Sequence, residues 1–132
     1  MPNSTVSVRY VVSDVDAAIA FYTELLGFQL DLHPAPGFAR VSRGNLRLLL
    51  NRPGGGRGAG QSMPDGQAPS PGDWNRIQLE AADLADTVER LKRQGAHFRN
   101  EVVDGNGGKQ VLLEDPFGNP IELFQPYERA QA

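Results

Sequence analysis

The same order of predicted elements occurs twice along the chain, and this repetition is the strongest constraint on its fold. Residues 6–12 are rich in β-branched and aromatic side chains, with polar ones at alternate early positions, which predicts a strand. Ser13 and Asp14 then supply a helix N-cap, and apolar residues recur at helical spacing until Gly27. Further extended segments follow at 29–32, 38–42 and 46–50. The first half is therefore predicted to be βαβββ.

The second half repeats this order. Residues 76–80 predict a strand, and Asp83 is the N-cap of a helix that ends near Gly95. Extended segments follow at 98–103, 110–113 and 121–124. Such repetition indicates two modules that need one another's surfaces. We predict one α+β domain over residues 1–132, with module 1 at 6–51 and module 2 at 74–126.

A segment rich in Gly and Pro joins the predicted modules. Over residues 53–72, 11 of 20 positions are Gly or Pro. A phosphate-binding loop needs a helix after it and usually a Lys-Ser/Thr pair, and the sequence predicts neither here. We interpret residues 52–73 as a flexible linker, which either only connects the modules or also folds over a pocket. In the second alternative, Met63 and Trp74 are candidate ligand contacts.

Composition excludes several classes of function. The net charge is −3 and the Lys and Arg residues are scattered, which argues against a nucleic-acid partner. No apolar run is long enough for a membrane span and the first residues do not resemble a signal peptide, so we expect a cytoplasmic protein. Cysteine is absent, which excludes thiolate nucleophiles and Cys-ligated zinc. The two imidazoles, His33 and His97, are expected to be structural or exposed.

A turn and a strand near the C-terminus carry the most informative carboxylate. Residues 115–119 read Asp-Pro-Phe-Gly-Asn, and both Asp-Pro and Gly-Asn favour turns. In the strand that follows, alternation places Glu122 on one face together with Pro120 and Phe124. Glu122 therefore points either at solvent or into a cavity.

Together these features resemble the vicinal oxygen chelate superfamily, which includes glyoxalases, bleomycin-resistance proteins and extradiol dioxygenases. The resemblance rests on the paired βαβββ modules, on Phe21-Tyr22 followed by Leu25-Leu26-Gly27-Phe28, and on the Asp-Pro-Phe-Gly-Asn-Pro-Ile-Glu-Leu segment at 115–123. It implies curled mixed sheets around a ligand cavity, with the helices outside. It also implies a homodimer with the cavity at or near the interface.

Metalloenzymes of that superfamily bind one divalent metal through four side chains, from the first and last strands of each module. Counting back from the capping Asp residues and matching the two Gly-Asn turns, the corresponding positions are Ser7, Leu48, Arg76 and Glu122. Of these only Glu122 is a good ligand, because Leu48 has no donor atom and Arg76 is a permanent cation. We therefore predict no metal and no other cofactor.

Without a metal, Glu122 needs another partner, because an unpaired buried carboxylate costs several kcal/mol. Arg76 is predicted to supply it through an Arg–carboxylate contact. The pair is either a structural remnant of a metal site or a device that orients a polar group of a ligand. A third alternative makes Glu122 a general base.

The remaining candidates lie on the opening strands and around the expected cavity. Arg9 and Gln78 occupy alternate positions that we expect to share a face with Leu48 and Leu50, and Gln110 begins a strand that can reach it. The predicted ligand contacts are Arg9, Leu48, Leu50, Met63, Trp74, Arg76, Gln78, Gln110 and Glu122. An apolar wall with few polar groups is typical of a site for a small organic molecule.

Two classes of function follow from the resemblance. The leading hypothesis is a metal-independent protein that binds an aromatic or amphipathic natural product, such as an antibiotic, and gives resistance by sequestering it. The alternative is an enzyme: a glyoxalase-like lyase or isomerase, a dioxygenase, or a cofactor-free catalyst that uses Glu122. A module that binds only a macromolecular partner is a third hypothesis.

Overall fold

A computed structural model describes residues 5–53, 70–72, 75–105 and 107–127. By their internal contacts these residues form two compact units, which divide between Gly72 and Asp73. Most of the predicted linker, including Met63 and Trp74, lies outside the described residues. Within the described part of the chain, no helix is long and apolar enough to cross a membrane.

Unit 1 has the predicted βαβββ order. Its strands form one sheet in the order β1-β4-β3-β2, in which β1 and β4 are parallel and the other pairs antiparallel. The elements are β1 (Val6–Val11), α1 (Val15–Leu25), β2 (Gln29–Ala35), β3 (Phe38–Arg43) and β4 (Leu46–Asn51). The predicted mixed sheet is confirmed.

Unit 2 repeats the order with one difference. Its elements are β5 (Ile77–Glu80), α2 (Leu84–Arg93), β6 (His97–Phe98), β7 (Val103–Asp104), β8 (Gly108–Glu114) and β9 (Pro120–Pro126). The sheet order is β5-β9-β8-β6, with β7 also paired to β8. As in unit 1, the first and last strands, β5 and β9, are parallel.

The single strand predicted over residues 98–103 is wrong, because a side chain interrupts the ladder. Arg99 still donates its backbone N–H to the Leu112 carbonyl, at 2.8 Å. The Leu112 N–H, however, donates to Asn100 Oδ1 at 2.9 Å. An Asn side chain that takes a backbone partner in this way competes with the ladder. The segment is therefore split into the two-residue strands β6 and β7.

Both helices begin where the sequence predicts. Asp14 Oδ1 accepts from the Ala17 N–H at 3.1 Å, and Asp83 Oδ1 accepts from the Asp86 N–H at 3.1 Å. Each bond satisfies one of the backbone donors that a helix N-terminus leaves unpaired. In unit 2 the sheet adds another, because Gln125 Oε1 on β9 accepts from the Leu84 N–H at 2.7 Å. The start of α2 is therefore tied to the last strand.

Each helix covers one face of its sheet and leaves the other face to polar side chains. In unit 1 the buried face includes Ala18, Tyr22, Leu48 and Leu50, all 0% exposed. In unit 2 α2 buries Leu84, Val88 and Leu91, and the sheet buries Val111 and Leu113 of β8 and residues 120–123 of β9. The cores therefore lie between helix and sheet, and Arg9, Gln78 and Glu122 lie on the opposite sheet faces.

The turn before β9 is held together by one buried carboxylate. Asp115 Oδ1 accepts from the backbone N–H groups of Phe117 and Asn119, each at 2.9 Å, and its Oδ2 accepts from Asn119 Nδ2 at 2.8 Å. Gly118 has φ of 89°, a conformation that favours glycine. The Asp-Pro-Phe-Gly-Asn motif is thus a structural turn that delivers β9, and Glu122 with it, to the sheet.

We predict that Gly108→Ala destabilises the protein and that Gly107→Ala does not. A Cβ at Gly108 would lie 2.8 Å from Pro126 Cα and 2.9 Å from Phe124 Cζ, and would also clash with the Gln125 carbonyl. A Cβ at Gly107 would meet only Phe124 Cζ, at 3.9 Å. Because such overpacking costs about 1–3 kcal/mol, chemical denaturation of the Gly108→Ala variant should show a loss of that size. Equal stability of the two variants would contradict the β8–β9 packing described here.

Candidate functional site

The last and first strands of unit 2 place Glu122 in the middle of the polar sheet face. Gln78 on β5 is opposite Glu122 on one side, and Leu112 on β8 is opposite it on the other. Their neighbours Ile77, Ile121 and Leu123 are buried on the helix side. Because side chains alternate along a strand, Gln78, Leu112 and Glu122 point away from α2. We call this surface, with Arg76, Glu80, Gln110 and Phe124, the unit 2 polar face.

Glu122 is the centre of a hydrogen-bonded cluster with Arg76 and Gln78. Arg76 donates to Glu122 Oε1 from Nε at 3.1 Å and from Nη2 at 3.0 Å. Gln78 Nε2 donates to Glu122 Oε2 at 2.7 Å. The Glu122 side chain is 9% exposed and that of Arg76 is 29% exposed. The predicted Arg76–Glu122 pair is confirmed. Arg76 neutralises the carboxylate, and Gln78 donates a hydrogen bond to its second oxygen.

The orientation of the Gln78 amide follows from the chemistry of its partner. An ionised carboxylate only accepts hydrogen bonds, so the NH₂ group of Gln78 must face Glu122. Its carbonyl oxygen is then turned away from the cluster, and in the described residues it accepts no hydrogen bond. Gln78 therefore presents an acceptor on the polar face at a position fixed by Glu122.

In unit 1, the strand register corrects the predicted position of Leu48 and Leu50. Arg9 is opposite Leu49, whereas Leu48 is opposite Val8 and Leu50 is opposite Tyr10. Leu48 and Leu50 are 0% exposed and belong to the helix-side core. A one-residue difference in register reverses the face of every side chain. Leu48 and Leu50 therefore do not share a face with Arg9, and Leu49 does.

The same register corrects one of the four superfamily ligand positions. Setting Asp14 on Asp83 aligns Arg9 with Gln78, and the residue opposite Gln78 is Glu122. The residue opposite Arg9 is Leu49, so Leu49 and not Leu48 is the counterpart of Glu122. Neither leucine has a donor atom, so this position has no metal ligand with either residue.

The side chains at these positions do not fit a divalent metal. Glu122 is the one strong ligand in the set Ser7, Leu49, Arg76 and Glu122, and its carboxylate is already in contact with the Arg76 cation, at 3.0 Å. A divalent ion would have to displace that cation while gaining a single carboxylate. Among the described residues, no three His, Cys, Asp or Glu side chains come together in an arrangement that could hold a metal ion.

Other predicted residues lie at separate places. Gln110 is opposite Phe124, so it shares the unit 2 polar face with Glu122. Ser7 is opposite Arg47 in unit 1. Met63 and Trp74 lie outside the described residues. His33 Nε2 is 3.8 Å from Asp16, at the edge of unit 1.

Sequence reasoning missed Asn51 and the contacts of Arg99. Arg9 donates from Nη1 to Oδ1 of Asn51, which is buried at the end of β4. The pattern of β4 contained the signal, since Asn51 is two residues after Leu49 on the same face. Arg99 donates from Nε to Glu114 Oε2 at 2.6 Å and from Nη2 to the Gly118 carbonyl at 2.9 Å.

An open groove lies beside Arg99, away from the Glu122 cluster. Its volume is about 390 Å³ and it is lined by Lys92 and residues 96–101. Of the cations that line it, Arg99 is paired with Glu114, and Lys92 lies over the Phe98 ring. The groove includes none of the predicted ligand contacts.

Comparison with known proteins establishes the family. The model of the Glyoxalase/Bleomycin resistance protein/Dioxygenase superfamily matches residues 5–123. The chain belongs to this superfamily. The resemblance inferred from the sequence is thereby confirmed. No curated protein sequence matches the chain significantly.

Solved structures of other superfamily-like proteins have the same fold. TnmS3, an antibiotic binding protein from Streptomyces sp. CB03234, is 26% identical, with a TM-score of 0.70 over 95% of this chain and 97% of that one. Lactoylglutathione lyase from Agrobacterium tumefaciens is 20% identical, with a TM-score of 0.73 over 95% of each chain. A superfamily member from Sphaerobacter thermophilus DSM 20745 is 24% identical, with a TM-score of 0.72 over 94% and 98%. The fold thus occurs in both a binding protein and an enzyme.

We predict that Glu122→Gln lowers the free energy of unfolding by about 1–2 kcal/mol, because it removes the charge that Arg76 pairs with. Chemical denaturation measures this change. Glu80→Gln is the matched control: Glu80 is an exposed carboxylate on the same strand as Gln78, and its replacement should cost less than about 0.5 kcal/mol. Equal effects of the two substitutions would show that the cluster adds no stability.

Proposed function

We propose that the protein binds a small aromatic or amphipathic molecule without a metal and holds it chemically unchanged. The observation that carries this proposal is the Arg76–Glu122–Gln78 cluster at the superfamily's metal-ligand position. Glu122, the one strong ligand among those positions, holds the side chains of Arg76 and Gln78 in place on the sheet face. Fixed polar groups on a surface of this kind orient a ligand.

The hydrogen bonds of Glu122 favour a positioning role over general-base catalysis. Its two oxygens accept three hydrogen bonds, two from Arg76 and one from Gln78. A general base must reach the proton that it abstracts, and protonation of Glu122 would weaken all three bonds. This arrangement supports binding as the primary role of the site.

The rest of the unit 2 polar face suits an organic ligand. Leu112 and Phe124 are half-buried and provide apolar contact, and Gln110 adds a second amide beside them. Apolar surface supplies affinity, and a few polar groups supply orientation. Gln78 Oε1 is the acceptor that a hydroxyl or N–H group of the ligand would meet.

Similarity to TnmS3 supports an antibiotic as the class of ligand. That protein is an antibiotic binding protein, and its structure matches nearly the whole chain. By analogy, we propose that this chain confers resistance by sequestering a natural product. The homodimer and the cytoplasmic location expected from the sequence are part of the same proposal, and light scattering of the purified protein would test the dimer.

Isothermal titration calorimetry with a panel of aromatic and amphipathic antibiotics, in buffer with a chelator, tests the proposal. We expect at least one compound to bind, and Gln78→Leu to weaken its binding about tenfold or more, because the variant loses a fixed acceptor. Gln110→Leu should weaken it less. Gln94→Leu, at the exposed end of α2, is the matched control and should bind like the wild type.

Two results would contradict this function. One is the absence of binding by every compound to a protein whose circular dichroism shows a folded state. The other is recovery of a chemically altered compound by mass spectrometry, which would indicate an enzyme. In that case a Glu122→Gln variant that binds the compound but does not alter it would identify Glu122 as the catalytic group.

A further inference from the structure

The polar face of the unit 1 sheet carries positive charge that carboxylates of the described residues only partly neutralise. Its central row is Arg9, Leu49 and Arg40, which are opposite one another on β1, β4 and β3. Arg47 and Ser42 form the adjacent row with Ser7. We call these six residues the unit 1 polar face. Three arginines on one small sheet face need an explanation, because like charges repel one another.

One of the three arginines has a carboxylate partner. Arg40 donates from Nε to Asp31 Oδ2 at 3.3 Å. Asp31 Oδ1 also accepts from the Ser42 hydroxyl at 2.9 Å, which holds the carboxylate beside β3. Arg40 is therefore compensated within the sheet.

Arg9 and Arg47 are not compensated in this way. Arg9 donates to Oδ1 of Asn51, a neutral amide that is 4% exposed and fixes the guanidinium without cancelling its charge. Within the described residues, Arg47 makes no hydrogen bond or ion pair. By contrast, four other arginines of the described chain lie within 4.0 Å of a carboxylate: Arg40, Arg76, Arg93 and Arg99.

The register brings the two uncompensated cations close together. Arg47 is opposite Ser7, and Leu49, two residues later, is opposite Arg9. Arg9 and Arg47 are thus diagonal neighbours on adjacent parallel strands. A strand spacing of about 4.8 Å and a two-residue step of about 6.6 Å put their Cα atoms roughly 8 Å apart. Both long side chains can therefore reach one anion.

We propose that Arg9 and Arg47 form a binding site for the anionic group of a small organic molecule: a carboxylate, a sulfonate or a phosphate. Guanidinium groups bind such oxyanions through charge-assisted hydrogen bonds. Leu49 lies between Arg9 and Arg40 in the central row, and half-buried Phe38 is opposite Asn51, so apolar surface adjoins the charge. The ligand is therefore an anion with an aromatic or apolar body. This site uses no residue of the Arg76–Glu122–Gln78 cluster and goes beyond the proposed function.

Two fluorescent probes with the same aromatic skeleton test the site. 8-Anilinonaphthalene-1-sulfonate carries one sulfonate, and N-phenyl-1-naphthylamine is its neutral analogue. We expect the sulfonate to bind at low salt and to lose affinity by about tenfold or more in Arg9→Gln and in Arg47→Gln, with further weakening as salt is added. The affinity for the neutral probe should change less than about twofold in either variant, because this probe has no charged group for an arginine to bind.

Arg43→Gln is the matched control. Arg43 is an exposed arginine at the end of β3, one residue after Ser42, so its side chain points to the other face of the sheet. The variant removes the same charge, and it should leave sulfonate affinity within about twofold of the wild type. Circular dichroism confirms that each variant is folded. Arginine side-chain ¹H–¹⁵N resonances of the wild type should shift at Arg9 and Arg47 when the sulfonate is added.

Any of three results would overturn the proposal: no sulfonate binding to the wild type, an equal loss in Arg43→Gln, or an equal loss for the neutral probe. The outcome is independent of the proposed function. Sulfonate binding that depends on Arg9, without binding of any antibiotic, would support the anion site and reject antibiotic sequestration. Antibiotic binding that depends on Gln78, without sulfonate binding, would do the reverse.

Discussion

The site depends on the hydrogen bonds and the ion pair that the buried Glu122 carboxylate makes with Arg76 and Gln78. An ionised group in this position is stable only if its charge is paired and its oxygens are hydrogen-bonded. Arg76 supplies the charge and Gln78 supplies the other donor, and both come from the chain just before and within β5. The Asp115 turn and the parallel pairing of β5 with β9 bring them together. The polar face of unit 2 is therefore built around a neutralised carboxylate.

The two units use the same framework for different electrostatics. In unit 2 the central row is Gln78, Glu122 and Leu112, whereas in unit 1 it is Arg9, Leu49 and Arg40. The leucine that corresponds to Glu122 leaves Arg9 without a carboxylate across the strand, and buried Asn51 holds it instead. Within the described residues, the Glu122 cluster of unit 2 is ion-paired, whereas Arg9 and Arg47 of unit 1 have no carboxylate partner. The repeat conserves backbone order while its exposed faces differ in chemistry.

Local signals in the sequence predicted much of this structure. Asp14 and Asp83 mark helix starts because capping depends on a few adjacent residues. The superfamily resemblance, which sets the first and last strands of a module side by side, placed Arg76 near Glu122. Leu48 was assigned to the wrong sheet face because its position was found by counting residues from the matched Gly-Asn turns. Register depends instead on the pairing between strands, which puts Leu49 opposite Arg9. The break at residues 99–102 was also beyond local pattern, because it depends on Asn100 meeting Leu112 in a strand distant along the chain.

Metal content is the most direct test of whether the Arg76–Glu122–Gln78 cluster takes the place of a metal site. Mass-spectrometric elemental analysis of the untagged protein, after dialysis against Zn²⁺, Mn²⁺ or Ni²⁺ and removal of excess ion, measures it. We expect far less than one bound ion per chain, since Arg76 occupies the carboxylate. One bound equivalent that disappears in a Glu122→Gln variant would contradict it.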